Sequence, residues 1–296
     1  MDGMRNRKRS FLLLAIVLSF ASAGCTYVPT AELKVFRESV VAANTAATPV
    51  LDELSSTERK VKNDIVAREK GRPTFNPADA AYFSDIGDAP ATTVFRRGYK
   101  VLDRLSEVLV GLATGAGTAS DVANVEGLAS EAADLVAILS SASLAAAPAA
   151  GVITPAFAVV KPALEEVSNE LSRLQARQVI EAVQARKLVE KLTDALIAAT
   201  PAMFPLLIRD ADRRANSTSA TDDAAAAYVE RVAKVRVLLA NYVVLLREVN
   251  SAWNEAVRAL ESKSTANVTV LTERVSELRA AAIATRRAYV EMNVGR

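Results

Sequence analysis

No histidine occurs among the 296 residues. That rules out Ser-His-Asp and Cys-His catalysis, His-ligated zinc and haem, and the Glu-x-x-His pairs of di-iron bundles. Cysteine is almost as scarce, with Cys25 standing alone, so no intrachain disulfide forms and stability rests on packing. A phosphate-cradling loop is missing too, because Gly111, Gly115 and Gly117 are not followed by a Lys-Ser/Thr pair and do not follow a strand. No long segment alternates with the period of two that a half-buried strand requires. What remains for chemistry is carboxylate alone: Glu165, Glu166 and Glu170, or Asp222 with Asp223, would serve as acid and base or hold a hard cation. Each group sits near an expected helix N-terminus, where acids oppose the dipole anyway. The expectation is a non-catalytic protein with no metal, no cofactor and no small-molecule substrate.

Charge is nearly balanced. The chain holds 36 Lys plus Arg against 34 Asp plus Glu, of which residues 1 to 24 hold four and one, leaving 32 against 33. The pI of 8.6 therefore mostly reflects the first residues. Nucleic-acid binding, which needs a standing basic surface, is not expected. The local clusters Arg96, Arg97, Lys100, Arg104 and Arg286, Arg287 have acids beside them and read as solvated faces, or as contacts to phosphate-bearing lipid or an acidic partner.

The first 25 residues read as an address. Arg5-Asn6-Arg7-Lys8-Arg9, an apolar run from Phe11 to Phe20, and the small residues Ser22-Ala23-Gly24 before Cys25 form the three regions of a secretory signal. Phe11 to Ala23 is 13 residues, short of the roughly 20 that span a bilayer as a helix. Ending at a cysteine, the segment resembles a bacterial lipoprotein signal, with Ser22 where such signals usually carry Leu. That resemblance implies that residues 1–24 are removed, that Cys25 receives a diacylglyceryl thioether, and that its new amino group is acylated. Two or more acyl chains make membrane attachment durable. Thr26 rather than Asp follows the cysteine, which by the same resemblance implies sorting to the outer membrane, facing the periplasm. Lys8-Arg9-Ser10-Phe11-Leu12 is also similar to a twin-arginine export signal, but the strongly apolar run after it favours ordinary unfolded export.

Beyond the tether, apolar residues recur alternately three and four positions apart, which places a stripe on one face of a helix. Six runs show this: Leu33 to Ile65, Val94 to Leu112, Val122 to Leu139, Leu164 to Leu196, Tyr228 to Leu260 and Leu271 to Tyr289. Thr30 is the expected N-cap of the first run, and Pro49 inside it is expected to kink or break the helix. The fourth and fifth runs predict helices of about 40 residues, hence about 60 Å long. Gln178, the polar exception in the fourth stripe, would either fix register or sit at a wet edge. The fold class is therefore all-α: an elongated antiparallel bundle of about six helices, several long and coiled-coil-like, with 25–32 as a lipid-anchored segment and 33–296 as one domain.

Two interruptions carry the functional expectations. Residues 70 to 93 hold Pro73, Pro77, Gly87 and Pro90 with Phe75, Tyr82 and Phe83, a long connection whose aromatics either pin it across the bundle end or contact a partner. From Leu135 to Val160 there are 26 residues without a charge. Pro148, Gly151 and Pro155 forbid one spanning helix there, leaving an apolar hairpin with Leu144, Val152, Ile153 and Phe157 as candidate membrane or partner contacts. In plan alone this resembles the helical pore-forming toxins of bacteria, which hide an apolar head and later insert it. The hairpin is otherwise a buried corner. Two functions stay open: a lipid-anchored structural or interaction module that binds an envelope protein or itself, and a membrane-active protein inserting residues 135–160.

Overall fold

The computed structural model describes residues 28–68, 75–84, 86–115, 118–171, 174–217, 221–262 and 264–294. Cys25 and the whole signal segment lie outside them. Among the described residues the chain is helical with no strand. We label the helices α1 (Thr30–Arg68), α2 (Ala80–Phe83), α3 (Pro90–Thr114), α4 (Thr118–Leu139), α5 (Ala142–Ala145) and α6 (Ala150–Phe157). They continue as α7 (Lys161–Leu171), α8 (Ala176–Ala185), α9 (Leu188–Ala199), α10 (Met203–Ala215), α11 (Asp222–Ser262) and α12 (Thr265–Asn293).

Five of the six expected runs are single helices: α1, α3, α4, α11 and α12. Their stripes face inward, as Leu33, Phe36, Val40, Val50 and Leu54 on α1 and Tyr242, Leu246, Val249 and Trp253 on α11 are all buried. Phe36 and Trp253 meet with ring centroids 6.5 Å apart, and Tyr99 meets Tyr242 edge-on at 6.2 Å. Burial pushes both phenols well up, so the pair stays neutral.

The fourth run differs from expectation. It is three helices, α7, α8 and α9, rather than one rod. Gln175 caps α8, and its side chain and that of Gln178 form a reciprocal capping box, so Gln178 is an exposed amide at a wet edge that also starts a helix, not a register device. Lys187, at φ 50°, then turns the chain again before α9. The bend lets Leu188, Val189, Leu192 and Leu196 bury against the bundle, where α6 packs on α9. Of the kink or break expected at Pro49, the break does not occur, because α1 continues through it. A proline inside a helix costs about 3 kcal/mol. Burial of Val50 and Leu51 beside it, at about 1.5–3 kcal/mol each, offsets that.

Hydrogen bonds fix the directions. Thr30, rather than capping its own helix, donates to the Ala113 carbonyl at 3.1 Å, and Glu58 accepts from the Ala91 and Thr92 amides at 2.9 and 3.1 Å. α1 and α3 are therefore antiparallel. Arg97 pairs with Glu131 and Asp134, and Gly111 faces Asp121, so α4 runs back along α3. Ser39 and Glu53 bond Arg279 and Asn293, which makes α12 parallel to α1, a departure from a strictly antiparallel bundle. Gly98 marks a close crossing of α3 and α9, where a Cβ would come within 3.1 Å of the Leu196 side chain.

Glu58 is a buried carboxylate at the N-terminus of α3. Desolvation holds its pKa above the ordinary 4.5, opposed by the Ala91 and Thr92 amides. Because the folded state keeps this proton more readily than the unfolded chain, the Glu58 contribution to stability is fully present below pH 4.5 and is lost as pH rises through the raised value. Glu58→Gln is expected to remove that part of the pH dependence; denaturant melts of both proteins across the acidic range check it.

Candidate functional site

The structure brings together the two segments that the sequence marks out. The Ser143 hydroxyl, in the apolar hairpin, donates to the Ala78 carbonyl at 2.7 Å, and the Tyr82 hydroxyl reaches the Ser143 carbonyl at 3.5 Å. Lys62 of α1 pairs with Asp79 at 2.8 Å and lies 5.6 Å from the Tyr82 ring centroid. Tyr82 is thus a buried anchor. Phe75 and Phe83 are not, since both are exposed, as is Ile86. The period of the short turn explains the difference: Ala80–Phe83 is one helical turn, and only one of two adjacent aromatics can face inward.

The hairpin is a packed corner. Leu135, Leu144, Ile153, Phe157 and Val160 are buried, and of the four candidate contacts only Val152 faces solvent. Its first arm is not one piece, because α4 ends at Leu139 and Ser141 caps the single turn α5 through the Leu144 amide. The hairpin corner lies next to the Glu58 region of α1, about 40 Å along that helix from Thr30.

Carboxylates and guanidiniums neutralise one another. Glu166 pairs with Arg186 at 2.7 Å, and the hydrogen bond holds its pKa down; Glu165 lies 3.8 Å from Lys161. Asp222 and Asp223 sit in the exposed first turn of α11. No group of three or more potential metal ligands converges among the described residues. In the basic cluster, Arg96 is held by Asp88 and by Asp52, Arg97 by Glu131 and Asp134, and Arg104 by Glu107. Arg96 and Arg97 thereby link α3 to α1 and α4, whereas the Arg104 pair lies within α3. Leu188–Ala215 is long and apolar enough to cross a membrane, but more than half of that window is buried in the bundle, as a core segment would be.

Of the concave features among the described residues, one of about 380 Å³ lies at the hairpin between Leu139, Phe157, Lys161 and Glu165, and two others have substantial apolar linings. Of these two, one, of about 640 Å³, lies at the end of the bundle where α1 begins, between Val28, Leu112, Ile180, Val257 and Leu260, with Arg177 and Glu181 among its lining. The other, of about 450 Å³, is a shallow apolar groove between α9 and α11, formed by Ile197, Pro201, Leu239, Val243 and Val244 with Arg247 beside them. The groove continues into an exposed stripe along α11, where Val229, Val237 and Val244 are 66, 53 and 44% exposed. Ala233 and Ala240 lie between them, also exposed. Sequence reasoning missed this second face. A scan for one stripe per helix finds the inward residues first, and the outward valines read as gaps in it.

No protein-family model, curated protein or solved structure matches this chain, so its functional reading rests on the residues described above.

Proposed function

We propose that this is a non-catalytic, lipid-anchored protein of the cell envelope, an elongated helical interaction module held at the outer membrane by acyl chains on Cys25. One observation supports the interaction role above others: the apolar stripe Val229, Val237, Val244 runs into an apolar groove, whereas the exposed Ile283 and Val290 of α12 are separated on their face by the charged Arg287. Scattered exposed apolar residues need no explanation, but a contiguous row beside a groove marks a contact surface. Partner binding through this face, and attachment through the lipid, are separate parts of one positional mechanism.

The membrane-inserting alternative gains less support. Inserting residues 135–160 would strip Leu144, Ile153 and Phe157 from the core, and the corner lies about 40 Å along α1 from the end that leads to the anchor.

The test is cross-linking of the full-length protein in its own envelope. Wild type and Val122→Asp, a change at an equally exposed site on α4, are expected to give a discrete cross-linked species. Val237→Asp with Val244→Asp is expected to lose it while keeping the helical content of wild type by circular dichroism. A species that survives the α11 changes, or no species at all, would contradict the reading.

A further inference from the structure

Resting on that interaction reading, we propose that the partner on α11 is a second copy of this chain, bound antiparallel along the same helix face. The outward residues Glu230, Ala233, Val237, Ala240, Val244 and Arg247 follow one another at steps of three, four, three, four and three, the spacing of a two-helix seam. Small and large side chains alternate along it, and a charge of opposite sign closes each end. Arg247 has no ion pair or hydrogen bond among the described residues. Glu230 pairs only with Lys234 of its own helix, four residues on, an exposed contact of small worth.

Charge decides the direction. In a parallel pair, Arg247 meets the partner's Arg247 and Glu230 meets the partner's Glu230, two like-charge contacts that oppose association. Antiparallel, Val237 stacks on the partner's Ala240 and Val244 on the partner's Ala233. Arg247 then reaches the partner's Glu230, and the two-fold axis repeats each contact. Alanine opposite valine lets the helices approach closely and fill the space between them. The flanking positions add no clash, since Arg236 comes beside the partner's Val243 and Lys234 beside the partner's Asn241.

This arrangement has a consequence for the tether. α11 runs antiparallel to α1, because Arg231 meets Glu53 and the C-terminal Val257 and Leu260 lie beside Val28. The two tether ends therefore point away from each other, and with both anchors in one bilayer the pair lies along the membrane.

The experiment measures the mass of the full-length protein in detergent by sedimentation over a concentration series, with Arg247→Glu, Glu230→Arg and the two combined. Wild type is expected to be a dimer, each single change to weaken dimerisation about tenfold or more, and the double swap to recover most of that loss. Helical content by circular dichroism should be alike for all four, since both side chains are exposed, while the melting temperature of wild type and the double swap alone should rise with concentration. A wild type that stays monomeric, or a double swap no better than either single, overturns the proposal. A stripe-dependent cross-linked species whose mass is not twice the chain overturns self-pairing but leaves the interaction reading standing; the absence of any stripe-dependent species overturns both.

Discussion

Arg231→Ala is expected to destabilise the fold by about 3–5 kcal/mol, a large share of the roughly 5–15 kcal/mol that holds a typical domain together. Arg231 is nearly buried, and its guanidinium joins four helices. Nε donates to the Leu207 carbonyl of α10 at 3.2 Å, one terminal nitrogen to the Met292 carbonyl of α12 at 2.8 Å, and the other to Glu53 of α1 at 2.6 Å. Glu53 is 10% exposed and also accepts from Asn293 at 3.3 Å. Truncating Arg231 strands a buried carboxylate and two carbonyls, which is why the loss exceeds that of a surface pair. Replacing both partners, as Glu53→Met with Arg231→Met, is expected to recover most of the stability, because no charge is then left buried without its counterion. Midpoints of denaturant unfolding for the single and double variants measure both effects. A loss under 1 kcal/mol for Arg231→Ala would show that the junction is not what fixes the four helices.

The second large effect separates two neighbours. Ile153→Asp is expected to cost about 4 kcal/mol or more, whereas Val152→Asp is expected to stay within about 0.5 kcal/mol. Ile153 is fully buried on the side of α6 that packs on α9, while Val152, one residue earlier, is 40% exposed. A carboxylate at Ile153 would be desolvated without a partner. Were the hairpin a head held ready for insertion, Val152→Asp, at a side chain already exposed, would leave the soluble fold intact and abolish binding to lipid. Circular dichroism and thermal melting, read beside release of a dye trapped in vesicles, distinguish these outcomes.

The legible and illegible parts of this fold divide along a physical line. Inward stripes come from local periodicity, so Leu33 to Leu54, Val94 to Leu109 and Val235 to Trp253 are readable from the order of residues alone. Gly115 is readable too, since its left-handed φ of 59° ends α3 where a glycine is expected. The break in the fourth run has almost no local signal. A glutamine is an uncommon N-cap, and Lys187 adopts a left-handed φ that its side chain disfavours. Both are settled by what Leu188 to Leu196 gain from burial. Glu58 and Arg231 escape a sequence reading for a different reason. Their partners lie 33 and 178 residues away, and no spacing rule reaches that far. The candidate site is legible in part: Tyr82, Leu144, Ile153 and Phe157 are apolar anchors, as their sequence setting implies, but their contacts are internal. The outward face of α11 needs the fold, because only packing tells which of two apolar stripes is left over.

The proposed tether at Cys25 is tested most directly by the intact mass of the N-terminal peptide of the protein isolated from its own membranes. The expected chain begins at Cys25 and carries a diacylglyceryl group and an amide-linked acyl chain. A chain that retains residues 1–24, or that bears an unmodified thiol at Cys25, would contradict it.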